Sequence, residues 1–354
     1  MTGVLFDVDT GPQVGLGHLH RCLALAAALR QLGARCLFVA RGDNQTQHRI
    51  VACGFEVETV SDREPDLAKR LSGVLAMAIR SQCHVMIVDS YQVPASYLGQ
   101  LRSMGRYVVA IDDLAHESFP CHIVVNGGAH APRLSYRSSS GDTHFLLGTP
   151  YAILSHEFWN PVHRTVRKTV RRILFTLGGA DPYNLMPRLL QLANGFPEDV
   201  AISAVIGPFF QNRDEIERML TPCQREVQVV PAPNSLRPLM LEADLAVSAG
   251  GQTLHELACV GCPTIAMSLS TNQDAHVKAY AECDVVRTVG SAEDPQIITV
   301  IAEAIRRLLN DPAARAAMSA AGQQIVDGQG ARRVAQSILA GVRDLTEPAV
   351  TVAR

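Results

Sequence analysis

Two stretches of this 354-residue chain carry residue types and spacings suited to chemistry on a phosphorylated substrate. The first runs from Ala243 to Gln273, ADLAVSAGGQTLHELACVGCPTIAMSLSTNQ. The apolar run Leu245–Ser248 predicts a buried strand, Gly250-Gly251 a turn, and Thr253 the opening of a helix. Thr264–Met267 predicts a second strand, followed by a polar loop ending in Asn272-Gln273. Glycines between a strand end and a helix start leave N–H groups to face an anion, and the helix dipole favours negative charge there. The stretch is read as the holder of the diphosphate and ribose of a nucleotide-sugar, although its spacing alone would suit almost any phosphate. Glu256 has two readings. Thr253-Leu-His-Glu256 matches a capping box, in which the carboxylate bonds back to the backbone of Thr253. Alternatively the carboxylate accepts hydrogen bonds from ribose hydroxyls, with a pyrophosphate on the Gly250–Gln252 amides. Periodicity does not separate them.

The second stretch, Gly11-Pro-Gln-Val-Gly15-Leu-Gly17-His18, joins a first strand to a first helix. It lacks the full GxGxxG spacing of a dinucleotide fingerprint, although Asp43, in RGDN after the second strand, stands where a ribose-binding acid would. His18 falls in the first turn of the helix, where the dipole disfavours the imidazolium. A neutral imidazole there could take a proton from water or a hydroxyl, or it could simply pack under the glycine loop. FDVDTG (6–11) places two carboxylates at the end of strand one, as in haloacid-dehalogenase phosphatases, and Ile111-Asp112-Asp113 could pose as a later magnesium pair. The order is wrong for that family, because Thr10-Gly11 replaces Gly-Thr and no convincing lysine loop lies between. A plainer reading makes these carboxylates caps for turn amides. Cys259 and Cys262 form one CxxC without a second pair at zinc spacing, so they read as helix-end packing residues.

The elements that must position these residues alternate regularly. Strand-like runs at Val4–Val8, Ala34–Ala40, Glu56–Val60, His84–Val88, Tyr107–Ile111 and Ile123–Asn126 are separated by helical patterns near His18–Leu32, Thr46–Cys53, Glu64–Ser81 and Pro94–Met104. Such spacing means right-handed βαβ units and a parallel sheet. Residues Gly127–Thr149 read as an irregular connection, and HRTVRKTVRR (163–172) as a solvated linker face. A second alternation then begins, with strands Ile173–Leu177, Ala201–Ile206 and Val227–Val230 leading into the Ala243 stretch. After about Ala292 the chain is mostly helical, with Ala302–Leu309 and Ala313–Val326 the clearest pieces. The expected architecture is two facing Rossmann-like α/β domains, 1–155 and 165–345, the last helix crossing back to the first domain, with an interdomain cleft as the favoured ligand position.

Composition bounds the class of protein. A hydrophobic content of 47%, charged residues at 19% and a net charge of −2 suit a globular protein with a sizeable core and no basic surplus for nucleic acid or anionic membrane. The start MTGVLFDV reads as a first strand and not a signal peptide. Apolar runs are too short for a membrane span. Nine scattered cysteines suit reduced thiols in a cytoplasm.

Several motifs in order, VGLGHLHRCLALAAAL, IVDSYQV, VVAIDDLA, FLLGTPYAILSHEF, LFTLGGADPYN and SAGGQTLHELACVGCPTI followed by NQ, give a resemblance over about residues 4–290. The chain resembles the PseG/SpsG family, the UDP-sugar hydrolase of pseudaminic acid biosynthesis and its relatives, which have the GT-B fold of the MurG glycosyltransferase. The resemblance implies that the C-terminal domain binds UDP, through Gly178, Gly179, Ile206, Gly250, Gly251, Gln252, Thr253 and Glu256. It implies that Asp9, Gly15, Gly17, Arg21, Tyr91, Asn272 and Gln273 lie toward the sugar or phosphate. His18, the histidine of GxGH, would activate water at the anomeric carbon. No metal or other cofactor is implied, because helix-end amides neutralise the leaving diphosphate. The chain departs from the family pattern at Asp7, where the hydrolases usually carry arginine, and at His255-Glu256-Leu257, where tryptophan-Glu-Arg is common. The expectation is a metal-independent enzyme that hydrolyses a UDP-activated amino or deoxy sugar. The alternatives are a glycosyltransferase using His18 on an acceptor hydroxyl, and a non-catalytic nucleotide-sugar binding protein. The expected partner is a small-molecule UDP-sugar, and the sequence leaves oligomeric state open.

Overall fold

The computed structural model describes residues 1–9, 16–41, 44–59, 66–220 and 226–346. Two compact units emerge, one of Met1–His156 with Gln329–Arg354, the other of Glu157–Gly328. In the first unit the strands are β1 (Gly3–Asp9), β2 (Arg35–Arg41), β3 (Glu56–Thr59), β4 (Val85–Asp89), β5 (Tyr107–Ile111), β6 (Ser118–Phe119), β7 (Ile123–Asn126), β8 (Arg137–Ser138) and β9 (His144–Leu147). Its early helices are α1 (Gly17–Gln31), α2 (Asn44–Ala52), α3 (Leu67–Arg80) and α4 (Ala95–Ser103). Seven strands form one parallel sheet in the order β3-β2-β1-β4-β5-β7-β9, and β6 pairs with β8.

The second unit alternates more strictly. It runs β10 (Arg172–Thr176), α5 (Leu185–Ala193), β11 (Ala201–Ile206), α6 (Arg213–Leu220), β12 (Val227–Pro231) and α7 (Arg237–Glu242). Then come β13 (Leu245–Ala249), α8 (Thr253–Cys259), β14 (Thr264–Ser268), α9 (Thr271–Glu282), β15 (Val286–Ser291), α10 (Ile297–Asn310) and α11 (Pro312–Ile325). Its six parallel strands are ordered β12-β11-β10-β13-β14-β15. The last helix, α12 (Gly330–Thr346), packs on α1 of the first unit and buries Val334, Ala335 and Ile338.

Parallel strands covered on both faces lose their polar alternation. Every residue of β1, β4, β5 and β13 is accordingly buried, and the helices add apolar faces such as Leu71, Val74, Leu75 and Ala78 of α3 to the core beneath. Capping fixes the start of α3, where Asp66 accepts from the Ala68 and Lys69 amides at 2.9 and 3.4 Å. The expected start of that helix at Glu64 lies outside the described residues.

Three local expectations are corrected. Residues 144–147 are not irregular: they form β9 at the sheet edge, parallel to β7. Asn272 and Gln273 do not end a loop but lie in the first turn of α9, because extended Ser270 (φ −160°, ψ 154°) turns the chain into the helix and no glycine or proline interrupts it. The basic run is not simply a solvated face. Arg164 donates to the carbonyls of Met240 and Ala243, Arg167 to Asp244 at 3.1 Å, and Arg172 to Glu226 at 2.9 Å, so the run ties itself onto the second sheet.

Candidate functional sites in the two units

In the first unit the connections leave β1 in one direction toward β2 and return on its other side at β4. The C-terminal ends of β1 and β4 are therefore a topological switch point, where parallel α/β sheets present ligand-binding side chains. α1 opens beside them, with Gly17 its first residue and His18 in the first turn. His18 is buried, and its Nδ1 lies 2.5 Å from Oδ1 of Asp89, the last residue of β4 and itself fully buried. Arg21 follows one helical turn later on the same face. Its Nε and Nη2 each meet Asp89 at 2.7 Å in a two-bond fork, and its Nη1 meets Asp113 at 2.8 and 2.9 Å. The Cys22 thiol adds a contact to Asp89 at 3.4 Å.

These partners decide the proton positions. Burial alone would raise the Asp89 carboxyl, but the charges of Arg21 and His18 and their hydrogen bonds outweigh it and hold Asp89 well below the usual carboxylate range. An ionised carboxylate only accepts, so Nδ1 of His18 is the donor in this contact. The 3.3 Å approach of Arg21 Nη2 to Nδ1 is then two donors sharing one acceptor. Tyr91, partly exposed, sets its ring edge-on to His18 at 4.6 Å and donates its hydroxyl to Asp113 at 2.6 Å. The result is a buried histidine–aspartate pair, with Nδ1 of the imidazole on the carboxylate.

The acidic motifs resolve differently. Asp112 braces its own loop, accepting from the Leu114 and Ala115 amides at 3.0 and 2.7 Å and from Tyr136 at 2.8 Å, while Asp113 turns to Arg21. Asp7 and Asp9 both face Arg70 of α3, at 3.0 and 3.2 Å, with Tyr97 donating to Asp7 at 2.7 Å and Ser90 to Asp9. The two carboxylates thus share a buried guanidinium. Among the described residues, no three His, Cys, Asp or Glu side chains gather closely enough to hold a metal ion. Cys259 and Cys262 are buried and meet backbone carbonyls, as packing residues do.

In the second unit β10 and β13 are the strands flanking the switch point. The turn after β10 contains Gly178, whose φ of +83° suits glycine, and Gly179. It lies so close to the end of β11 that a Cβ on Gly207 would meet the carbonyl oxygens of Gly178 and Gly179 at 2.3 and 2.4 Å. Ile206, just before, is a core residue whose carbonyl accepts from Ala232 at 2.8 Å, so any nucleotide contact from it runs through the main chain. After β13, Gly250 is pressed against α9, where a Cβ would meet Val277 at 2.3 Å, whereas Gly251 has room.

The capping box is absent. α8 starts at Thr253, and Gln252, in αR conformation, is the N-cap without a side-chain cap bond. Glu256 therefore lies one turn into a seven-residue helix and does not close back on a Thr253 cap. It is half-buried, and burial with the nearby charge of Glu157 pushes it up to about 8. Gln273 accepts from the Leu269 amide at 3.0 Å and lies near Gly251, while Asn272 is exposed beside Ser270.

Of the expected site residues, His18, Arg21 and Tyr91 share one network with Gly17 at its base, and Asp9 belongs to the adjoining Arg70 cluster. Gly178 and Gly179 on one side, and Gly250, Gly251, Gln252, Thr253 and Glu256 on the other, border the second switch point. Gly15 and Asp43 lie outside the described residues. Asp89 and Arg70 were not singled out from sequence, and Asp113 was weighed only as half of a magnesium pair. Asp89 carried a usable signal, a carboxylate closing the apolar run Val85–Val88, whereas Arg70 looks like any arginine on an amphipathic helix.

No protein-family model matches the chain. An uncharacterized protein of Methanocaldococcus jannaschii is 26% identical over 269 residues, which are 73% of this chain but 54% of that protein. The spore coat polysaccharide biosynthesis protein SpsG of Bacillus subtilis is 25% identical over 330 residues, 92% of this chain and 94% of the relative. A pseudaminic acid cytidylyltransferase and UDP-2,4-diacetamido-2,4,6-trideoxy-beta-L-altropyranose hydrolase of Helicobacter pylori is 22% identical over 75% of this chain, which spans 44% of that longer protein. Among solved structures, Acinetobacter baumannii MurG superposes with a TM-score of 0.72 at 16% identity, covering 96% of this chain and all of that one. The complex of S. aureus MnaA with UDP gives 0.66 at 13% identity and covers 98% of both chains. Among the described residues no helix is long and apolar enough to cross a membrane.

Proposed function

We propose, from the premise that this chain is a GT-B protein similar to SpsG and to the pseudaminic acid hydrolase, that it is a UDP-sugar hydrolase. The observation that carries the reading is the buried His18–Asp89 pair at the switch point of the first unit. A water proton passes to Nε2 of His18 as the water oxygen bonds to the anomeric carbon. The bond from that carbon to the β-phosphate oxygen breaks, and UDP leaves with the electron pair. Asp89 stabilises the imidazolium that forms and keeps the ring in the needed orientation.

The reading assigns the nucleotide to the second unit. Gly178, Gly179 and the amides of the Gly250–Thr253 turn take the diphosphate, and Glu256 takes the ribose hydroxyls. The H. pylori relative is named for hydrolysis of such a UDP-sugar, and a solved neighbour of the same fold holds UDP. α8 has only seven residues, so neutralisation of the leaving group rests on turn amides more than on that helix's dipole. Gly15, Gly17, Asp9, Tyr91, Asn272 and Gln273 remain assigned to the sugar side.

Incubation with a panel of UDP-sugars and no acceptor is the test, read as UDP release. Release without acceptor supports hydrolysis. Release only when a sugar acceptor is added makes the protein a glycosyltransferase with the same base, since water and a sugar hydroxyl ask for the same proton transfer. Tight binding with no turnover in either case would leave a nucleotide-sugar binding protein.

A further inference from the structure

Arg21 sits between two carboxylates in unlike surroundings. All three guanidinium nitrogens are engaged: Nε and Nη2 on buried Asp89, at 2.7 Å each, and Nη1 on Asp113, at 2.8 and 2.9 Å. Asp89 in turn holds Nδ1 of His18. The cation therefore reaches the imidazole through the carboxylate on which the imidazole depends. A fork of this kind fixes direction as well as charge. Asp113 is the outer member, its side chain 26% exposed, and it also receives the Tyr91 hydroxyl.

We propose that Arg21 and Asp113 are positioning residues that adjust the basicity of the His18–Asp89 dyad in opposite directions, and that Arg21 does not bind the sugar. The proposal rests on His18 as the base. An imidazolium at His18 is favoured by Asp89 and disfavoured by the Arg21 cation, whose Nη2 lies 3.3 Å from Nδ1. Asp113 offsets part of that cation. Removing the charge of Arg21 therefore strengthens the base, and removing that of Asp113 weakens it.

The other groups around the dyad leave this sign unchanged. Burial pushes up both the Cys22 thiol, on α1, and the Tyr91 phenol, beyond β4, so both stay uncharged near neutrality. Burial lowers His130, beside Asp113 after β7, which favours its neutral form. On β1, Asp7 and Asp9 face Arg70 of α3 in a separate cluster. Residues 10–15, TGPQVG, contain no ionisable side chain. A base of moderate strength transfers protons best near its operating pH. The Arg21 cation opposes the pull of the Asp89 carboxylate on an imidazolium proton, and Asp113 offsets part of that opposition.

The test is an NMR titration of the full chain with labelled histidine, the His18 ring signals being identified among 12 histidines by their loss in His18→Ala. Asp113→Asn should lower the His18 midpoint by about 0.5–1 pH unit, and Arg21→Met should raise it by about 1–2 units, from charges a few ångströms away at an effective dielectric near 20. The acidic limb of kcat/KM for UDP release should move with each midpoint, at unchanged KM. Arg21→Lys keeps the charge without the fork, so kcat should fall while the midpoint stays near wild type. Asp113→Asn is nearly isosteric at a partly exposed position and keeps the test available if Arg21→Met unfolds. Midpoints that stay fixed or move in the same direction overturn the proposal, as does a raised KM with a fixed midpoint. If the midpoints move as expected but His18→Ala still turns over substrate, the electrostatic adjustment stands and the assignment of His18 as base fails.

Discussion

Glu256 shares its surroundings with the carboxylate of Glu157, and burial together with that like charge pushes Glu256 up to about 8. In the proposed ribose role the carboxylate must be ionised to accept two hydroxyl donors, so UDP binding near pH 6 is expected to require Glu256 to release its proton. Affinity for UDP is expected to rise with pH, by at most about tenfold per unit, and to level off above about 8. Calorimetry in buffers of different ionisation enthalpy counts the proton released. The Glu256→Gln protein serves as reference for the ionisation of UDP itself, and an equal slope in that variant would remove Glu256 from the ribose site.

The same group makes a stability prediction whose sign follows directly. A carboxyl raised in the folded state holds its proton more tightly when folded than when unfolded. Its contribution is fully present below the unfolded value, roughly 4.3, and is lost as pH climbs through about 8. Wild-type protein without ligand should therefore lose denaturation midpoint between pH 5 and 8 relative to Glu256→Gln, which should lack this component.

His18→Ala should lower the rate of UDP release by about 10²–10⁴. Asp89→Asn should cost about as much, because an asparagine amide can stabilise the wrong tautomer of His18. Both variants should bind UDP as wild type does. A near-normal rate for either, at normal stability, would refute the dyad.

The Arg70 cluster makes a different kind of prediction. Arg70→Met leaves the Asp7 and Asp9 carboxylates at the end of β1 without their guanidinium, and should cost about 3–5 kcal/mol in urea denaturation. Replacing Asp7 and Arg70 together with apolar residues of similar volume should cost less than Arg70→Met alone. Equal losses would mean that Arg70 stabilises through packing and not through charge.

Gly207→Ala forces a Cβ into the backbone of the Gly178-Gly179 turn. Overpacking of that kind costs about 1–3 kcal/mol, and the displaced turn should weaken UDP binding. Unchanged UDP affinity in a folded variant would separate the turn from the nucleotide.

The parallel-sheet architecture was legible because covered strands are continuous apolar runs and the helices between them keep a 3.6-residue period. Val4–Val8 and Leu245–Ser248 were readable for that reason, and so was the glycine turn after the second of them, whereas residues 10–15 after the first lie outside the described residues. Short edge strands such as β9 and β15 lacked that contrast. Asn272-Gln273 read as loop because its polar residues are also those of a helix's first turn. His18 was visible from its place after a glycine turn, but its partners were not. Asp89 lies 71 residues away, joined to it only by the adjacency of β1 and β4, and Asp113 is brought in by an arginine fork. Glu256 shows the converse difficulty, a local pattern that fits a cap although the helix starts one residue too early to use it.

The position of α12 in the chain bears on how the protein is made. The stretch 157–328 is continuous and can condense as soon as it leaves the ribosome. The unit that carries His18 must wait, because the helix covering α1 is translated after all of it. Nascent chains halted before Gly330 are expected to display a finished second unit beside a first unit with the apolar flank of α1 still bare. Ribosome-bound intermediates of graded length, probed by limited proteolysis, should therefore gain protection in reverse of their order in the gene.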